Sequence, residues 1–557
     1  MLTWMENAAT SEEPRPGSVD QSSSPVHSLR INSRGARRLG IGVMVVLLLI
    51  AAFLFGPLRS SQRFNYDESD YMYAVSKGFR ANYLDEPTLS PVTFLQKGLQ
   101  ALHSSNWSSL SEFIRQSDDI SFYRHYHGPL HFYSILAAEP LLGKNSERSL
   151  RLVPFAELLL AALILFFGSL LIVPRSAALA GCLSGCFLLI SPNNIQTAMW
   201  LTPHTLYTAT ALMALFMMAK LVQSNRLSYL YASVLSIAIA FTVIEYAVLL
   251  LVTLLALLVL QRRSLFPEWR VKDFCWLTAK CIVLFLTTIV VLWPGGVYRL
   301  TLAKDYLFFL YFTTVRSAAA YGTDSLAHVW WLRIRNSPLE FTVLIVFSTV
   351  FLRSLIRRKY DSYLLPFAIY GLLVFLTTVR NRSSSPFYVS SLLPPLYFIV
   401  VVLIADLFQR RPRAAFAITT LVVAAFLING YLYAYRPLAL ASPDPAANGI
   451  VEVLGSSMVK DRNLLVPHDY LPTAHYYFPS NKFTAYPKTW SVNQLCREIE
   501  GSRFDGLVYS GQQYDQLQSG LLKLYPALPL RSVNVESPDG VIAYIPLGHP
   551  PGIAAGY

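Results

Sequence analysis

Charge is what this chain has least of. Of its 557 residues only 14% are Asp, Glu, Lys or Arg, whereas 54% are hydrophobic, and the mean hydropathy is +0.41. That balance excludes a water-soluble globule, because the apolar residues fall into runs long enough to cross a bilayer. Acid is the scarcer sign, with 33 acidic against 46 basic residues and a net charge of +13. A soluble protein with that excess would suggest nucleic acid. Here the basic residues cluster in short loops between apolar runs, so orientation in the membrane accounts for most of them and no nucleic-acid partner is expected. Cysteine is scarce as well. Its five residues exclude a disulfide framework, and none has metal-site spacing. There is no internal repeat of solenoid or propeller period.

What is present is a series of membrane spans. Residues 1–33, rich in Ser, Pro, Glu and Asn, read as a disordered cytoplasmic tail. Arg34, Arg37 and Arg38 precede the first apolar run at about 40–58, which reads as a signal anchor because no small-residue cleavage site precedes Pro57. Further spans are expected near 150–173, 177–191, 203–220, 227–243, 246–260, 274–292, 339–355, 362–379, 388–408 and 414–434. Placing the N-terminus inside puts Arg175, Lys220, Arg226, the Arg262–Lys272 cluster, Arg353–Lys359 and Arg410–Arg413 on one side, as the positive-inside rule requires. Two segments decide the count. Residues 227–260 must form a tight hairpin with Glu245 solvated at its tip. Residues 129–143 must lie at the interface, since a crossing there would invert every later loop.

The fold class expected is therefore a polytopic α-helical membrane protein of about 11 spans, with its N-terminus cytoplasmic. Residues 34–435 form the membrane domain, with a first outer loop at 59–147 and a second at 293–338. Tyr71, Met72, Val75 and Phe79 have the spacing of an amphipathic helix lying on the membrane. Residues 436–557 read as a small extracytoplasmic α/β domain. Asn463–Val466 and Asp505–Tyr509 look like buried strands, Ser491–Ile499 and Tyr514–Tyr525 like helices, and Val533–Ile545 like two strands joined at Pro-Asp-Gly.

The polar chemistry gathers in the outer loops. Phe64-Asn-Tyr-Asp-Glu-Ser-Asp-Tyr71 follows the first span, and His125-Tyr-His-Gly-Pro-Leu-His-Phe-Tyr133 comes later in the same loop. A lipid-phosphate-linked sugar presents its reacting carbon at head-group depth. Displacing the phosphate with an acceptor hydroxyl needs a carboxylate base and cations for the leaving group. Asp67 or Asp70 would otherwise serve as a helix cap, and His127 as a partner for loop backbone. The second loop carries Arg299, Lys304, Arg316, Arg333 and Arg335 against the orientation rule, either as head-group anchors or as phosphate ligands.

These segments resemble a known family. Asp67-Glu68, His127-Gly-Pro-Leu130, Gly143-Lys-Asn-Ser-Glu-Arg-Ser-Leu-Arg-Leu-Val-Pro154, Ser191-Pro192 and Ser385-Pro-Phe-Tyr-Val-Ser-Ser-Leu-Leu-Pro-Pro395 occur in the order seen in the polyprenyl-phosphate-sugar-dependent GT-C glycosyltransferases. The subgroup is the family 39 type, with protein O-mannosyltransferases, the aminoarabinose–lipid A transferase and the Rgt-type lipopolysaccharide transferases. The resemblance covers about 60–400. It implies an inverting hexosyl or pentosyl transferase of the inner or plasma membrane, with its site outside. The implied partners are a polyprenyl-phosphate-linked sugar donor, an envelope acceptor and membrane lipids. Asp67 would be the general base and Glu68 a second catalytic acid, a metal ligand or a solvated neighbour, with no cofactor certain and a divalent metal left open. His127, Arg299, Arg316, Arg380 and Arg382 are the candidates for the donor phosphate. The competing readings are a lipid or glycan transporter or flippase, and an inactive envelope-assembly scaffold. Spans nearly free of ionisable residues away from their ends favour the enzyme.

Overall fold

The computed structural model describes residues 33–59, 63–76, 91–103, 127–143, 146–262, 271–294, 325–357, 360–440, 445–457, 459–467, 470–486, 490–501, 504–524, 533–537 and 540–547. The protein is helical up to residue 456 and closes with a five-stranded sheet.

The first helix, α1 (Ser33–Leu58), leaves most of its apolar side chains on the outside and turns Met44, Phe55 and Leu58 inward. Among the described residues three non-spanning helices follow: α2 (Tyr66–Ser76), α3 (Pro91–His103) and α4 (Leu130–Leu142). After the short α5 (Glu147–Leu150), the bundle is built from α6 (Leu152–Ile172), α7 (Ala177–Ile190), α8 (Pro192–Ala198), α9 (His204–Ser224), α10 (Leu227–Phe241), α11 (Val248–Leu260) and α12 (Val271–Leu292). Then come α13 (Leu326–Arg335), α14 (Pro338–Ile356), α15 (Leu365–Val379), α16 (Phe387–Ser390), α17 (Leu393–Arg410) and α18 (Pro412–Gly430), which continues through a π turn at Tyr431–Tyr435.

Eight of these helices are long and apolar enough to cross a membrane, or nine if α7 and α8, bent by 64° at Ser191, are one broken span. The chain is thus a multi-pass membrane protein. Helices α10 and α11 are apolar but shorter, and only by counting both would the eleven expected spans be reached. The centre of the bundle is α9, whose Phe216 meets Phe367 and Phe398 edge-on at 5.1 Å each. At Gly181 of α7 an added Cβ would come within 2.8 Å of Phe166 backbone, so only glycine lets α6 and α7 approach this closely.

The break between α7 and α8 follows from Pro192 at the first turn of α8, which cannot continue the hydrogen bonding of α7. The groups it exposes gather around one buried carboxylate. Glu340 of α14 accepts from Ser191 Oγ (2.8 Å) and Asn193 Nδ2 (3.4 Å), and also from the hydroxyls of Ser337 and Tyr397. Asn429 of α18 in turn donates to Ser337 Oγ at 2.8 Å. One acid therefore ties four helices together.

Past α19 (Pro445–Ser456) the chain forms β1 (Asn463–Pro467), α20 (Leu471–Tyr477), β2 (Lys482–Tyr486), α21 (Val492–Gly501), β3 (Gly506–Gly511), α22 (Tyr514–Leu524), β4 (Val533–Ser537) and β5 (Gly540–Pro546). The sheet order is β2-β1-β3-β5-β4, with β1 parallel to β2 and β3, and β5 antiparallel to β3 and β4. Period-two alternation sorts its side chains onto two faces. Leu464 and Val466 pack with Ile450, Val453 and Ala474, while Leu465 packs with Leu495, Ile499, Leu517 and Leu521. The strands and helices expected here are all present, and α19, α20 and β2 are additional.

One expectation needs correction. Helix α2 packs its apolar stripe against protein rather than presenting it to lipid. Tyr71, Met72, Ala74 and Val75 are buried in a cluster with Phe64, Phe132, Ile135, Leu150, Val153 and Leu201, and α20 packs against the helix. Phe79 lies outside the described residues.

Candidate active site

Helix α2 begins at a capping box. Asn65 Oδ1 accepts from Glu68 N at 3.0 Å, and Glu68 Oε2 accepts from Asn65 N at 3.2 Å. Asn65 is therefore the cap, a role considered above for Asp67 or Asp70. Glu68 is also gripped by Arg151, Nε to Oε1 at 2.9 Å and Nη2 to Oε2 at 2.6 Å, and it accepts from Leu201 N at 3.0 Å. Both side chains are 1% exposed. Glu68 was expected as a second catalytic acid, a metal ligand or a solvated neighbour, and its burial overturns the last of these. Its oxygens are committed to fixing α2 on the bundle.

Asp67 is left in a different situation. Next to Glu68 on the helix, its side chain is partly exposed and makes no hydrogen bond among the described residues. The surrounding walls strip much of its water. Burial therefore pushes the Asp67 carboxyl above the usual carboxylate range, His127 draws it back down, and Glu68 adds to the rise.

His127 reaches this position because of the glycine after it. A Cβ at Gly128 would lie 2.1 Å from the Thr242 carbonyl oxygen, so only glycine permits the loop to press on the end of α10. Leu130 N donates to that same oxygen at 3.1 Å and starts α4. His127 Nδ1 then lies 3.0 Å from Glu245 Oε2. The expectation of a solvated Glu245 at a hairpin tip is thus overturned: it is 1% exposed and paired. The hairpin break is covered by the His-Gly-Pro-Leu segment.

Two more imidazoles stand nearby. His131 Nδ1 is 3.2 Å from Glu157 Oε1, and Glu157 also accepts from Ser134 Oγ (2.8 Å) and Thr205 Oγ1 (2.6 Å). His204 lies 6.5 Å from the His127 ring and stacks on Phe387 at 5.5 Å. Tyr71 of α2 faces both His127 and His131. No three His, Cys, Asp or Glu side chains form a group suited to a metal ion among the described residues.

The basic candidates divide. Arg299 and Arg316 lie outside the described residues. Arg380 is exposed, while Arg382 is half-buried, with its Nε buried and without a hydrogen-bond partner among the described residues. The loop that carries both is held from beneath by Arg333, which sequence reasoning had placed only among the basic residues of the second loop. Arg333 donates to the carbonyls of Thr378 (3.1 Å) and Asn381 (3.3 Å) and to Ser383 O, and its guanidinium sits 4.8 Å over Trp330. Burial pulls Arg333 down to about 10, opposed by Tyr388 and Tyr246, so it stays charged at neutral pH. Asp67, Glu68 and His127 thus share one region, with Glu245 and Arg151 as the partners that spacing alone had not revealed.

Residues 126–293 match the family model described as dolichyl-phosphate-mannose-protein mannosyltransferase. The structure is similar to that of ArnT from Cupriavidus metallidurans bound to undecaprenyl phosphate, at 13% identity and a TM-score of 0.59, covering 90% of this chain and 98% of that one. It is also similar to the archaeal oligosaccharyltransferase AglB from Archaeoglobus fulgidus, in complex with an inhibitory peptide and a dolichol-phosphate. There the identity is 11% and the TM-score 0.54, over 90% of this chain and 74% of that one. No curated protein matches the sequence significantly. At these identities the structural likeness establishes the fold, and it is the fold that the ordered motifs implied.

Proposed function

We propose that this chain moves a sugar from a polyprenyl-phosphate donor to an envelope acceptor at the extracytoplasmic face, with Asp67 as general base and inversion at the anomeric carbon. The observation that carries the reading is the contrast along α2. Glu68 is spent on Arg151, whereas Asp67 is left with no hydrogen bond among the described residues, its proton affinity raised by burial, beside an imidazole. A base of that kind takes the acceptor proton as the hydroxyl attacks the anomeric carbon, while the phosphate leaves toward His127 and the Arg380–Arg382 loop. Cations at that depth stabilise the leaving dianion, Arg by paired hydrogen bonds. Orientation follows the basic loops, with the N-terminus cytoplasmic and the sheet outside.

The transporter reading has less support. Glu157 and Glu340, buried in their helices, lie within the first two turns and are tied up by hydroxyls and amides. The test is mass spectrometry of envelope glycolipids and glycoproteins from cells lacking the chain, complemented with wild type or Asp67→Asn. A product that disappears on deletion, returns with wild type and stays absent with the variant is expected. Full restoration by Asp67→Asn would sink the assignment.

A further inference from the structure

Helix α12 is the least covered of the candidate spans. Only 6% of its most apolar stretch is buried, and its chief packing partner is α10. Its outer surface should therefore be plain and lipid-facing, yet Lys280 projects from it. At 1.5 Å per residue, Lys280 lies about 12 Å beyond the start of the span at Lys272. With a hydrocarbon core of about 30 Å, that places its backbone among acyl chains. Helical side chains lean toward the N-terminus, and a long lysine stem carries its charge the same way. Lys280 Nζ accordingly rests 5.2 Å over the Trp276 ring, one turn earlier. It makes no hydrogen bond or ion pair among the described residues. A cation inside a span but outside the bundle is costly, which marks the position as a candidate site.

A recess is built around it. A cavity of about 320 Å³ is lined by Leu227 and Tyr231 of α10 and by Asp273, Trp276, Leu277 and Lys280 of α12. The two α10 residues are one turn apart, and the four of α12 follow the spacing of a single helix face. Leu277 is buried, whereas Asp273, Trp276 and Lys280 are exposed. The recess lies where α10 and α12 both begin, at the far end of α10 from Thr242, on which the His127 loop seats. In the proposed orientation that end faces the cytoplasmic leaflet. Arg226 and Lys272, both exposed, flank the lining residues in the chain. Three cations thus stand against one carboxylate. That balance suits a ligand with a single negative charge, and Asp273 disfavours a second one, as a phosphate monoester would bring. Basic recesses between spans on the cytoplasmic side are of the kind that takes lipid head groups. Trp276 and Tyr231 have the amphipathic rings that settle at that depth.

We propose that this recess binds the phosphodiester head group of an anionic phospholipid, with Lys280 on the phosphate and the acyl chains along the open face of α12. The site is separate from the donor site and completes the packing of a helix that protein alone leaves uncovered.

The experiment is native mass spectrometry of the purified full chain in detergent, titrated with phosphatidylglycerol, phosphatidylcholine or undecaprenyl phosphate. Wild type is expected to retain phosphatidylglycerol in preference to phosphatidylcholine. A charge-assisted hydrogen bond to phosphate is worth a factor of about ten or more. Lys280→Gln is therefore expected to bind phosphatidylglycerol about tenfold more weakly, and Lys280→Arg within about threefold of wild type. Arg357→Gln, which removes an exposed charge at the end of α14, is expected to leave binding unchanged. Leu227→Trp fills the recess without altering any charge and is expected to weaken binding as Lys280→Gln does. Wild-type affinity in Lys280→Gln or in Leu227→Trp overturns the proposal, as does an equal loss in Arg357→Gln. Equal retention of phosphatidylcholine by wild type overturns it too, and so does a preference for undecaprenyl phosphate that Lys280→Gln abolishes.

Discussion

Asp67 and Glu68 are neighbours in sequence and opposites in circumstance. The sequence shows two acids where a membrane-surface base is wanted, but it does not say which is available. That is decided by Arg151, which lies beyond a loop of more than sixty residues and takes both oxygens of Glu68. Removing one partner from a buried ion pair leaves the other uncompensated and costs about 3–5 kcal/mol. Arg151→Met is thus expected to lower thermal stability sharply in detergent, whereas Asp67→Asn is expected to fold normally and lose transfer by about 10²–10⁴. A thermal-shift measurement beside the transfer assay checks both. The raised Asp67 carboxyl fixes a sign as well. A base works only when deprotonated, so activity should fall as pH drops through a value above the usual carboxylate range. The same rise means that ionised Asp67 opposes folding, an effect that grows as pH climbs from the unfolded carboxyl value to the higher folded one, is complete above the folded value and is absent below the unfolded one. Asp67→Asn should then melt slightly higher than wild type at neutral pH and no higher in acid.

At the level of elements, period and length made most of the molecule legible. The apolar runs became helices within a few residues of the expected bounds, and the two strands expected on either side of Pro-Asp are present and pair antiparallel. Helix α2 was misplaced for a physical reason. Its apolar stripe has the pattern of a surface-lying helix, but the cover comes from α20, which local periodicity cannot foresee. Ser69 Oγ meets Thr473 Oγ1 at 3.3 Å, and Tyr477 Oη accepts from Phe64 N at 2.9 Å while donating to Glu147 at 3.0 Å. Tyr477→Phe leaves a buried amide short of an acceptor, a loss of about 1–3 kcal/mol. The expected outcome is a small fall in melting temperature with a larger fall in turnover than in donor affinity. Gly128→Ala should do the reverse. Its methyl collides with the Thr242 carbonyl, moves His127 off Glu245 and weakens undecaprenyl phosphate binding, as titration of the purified variant would show.

For the whole molecule, the lysines and arginines of short loops are the ground for the proposed orientation, and the fold was legible from ordered motifs because each one marks a helix end. The site was only half legible. The residues on α2 and in the His-Gly-Pro-Leu segment stood out, but Glu245, Arg151 and Arg333 act through contacts that no spacing rule records. Cysteine reporters at Ser61 and Gly511 should label from outside intact cells and one at Ser354 should not. External labelling at Ser354 would reverse the topology and place the site on the cytoplasmic face.

The bond between Phe64 and Tyr477 spans 413 residues. During synthesis the helix bearing Asp67 emerges directly after the first span, yet the helix that braces it is made after the last one. Each molecule therefore carries α2 unbraced through most of its assembly. A chain halted before the sheet would hold the proposed base on a helix without its support, so on that reading competence waits for the final domain to dock.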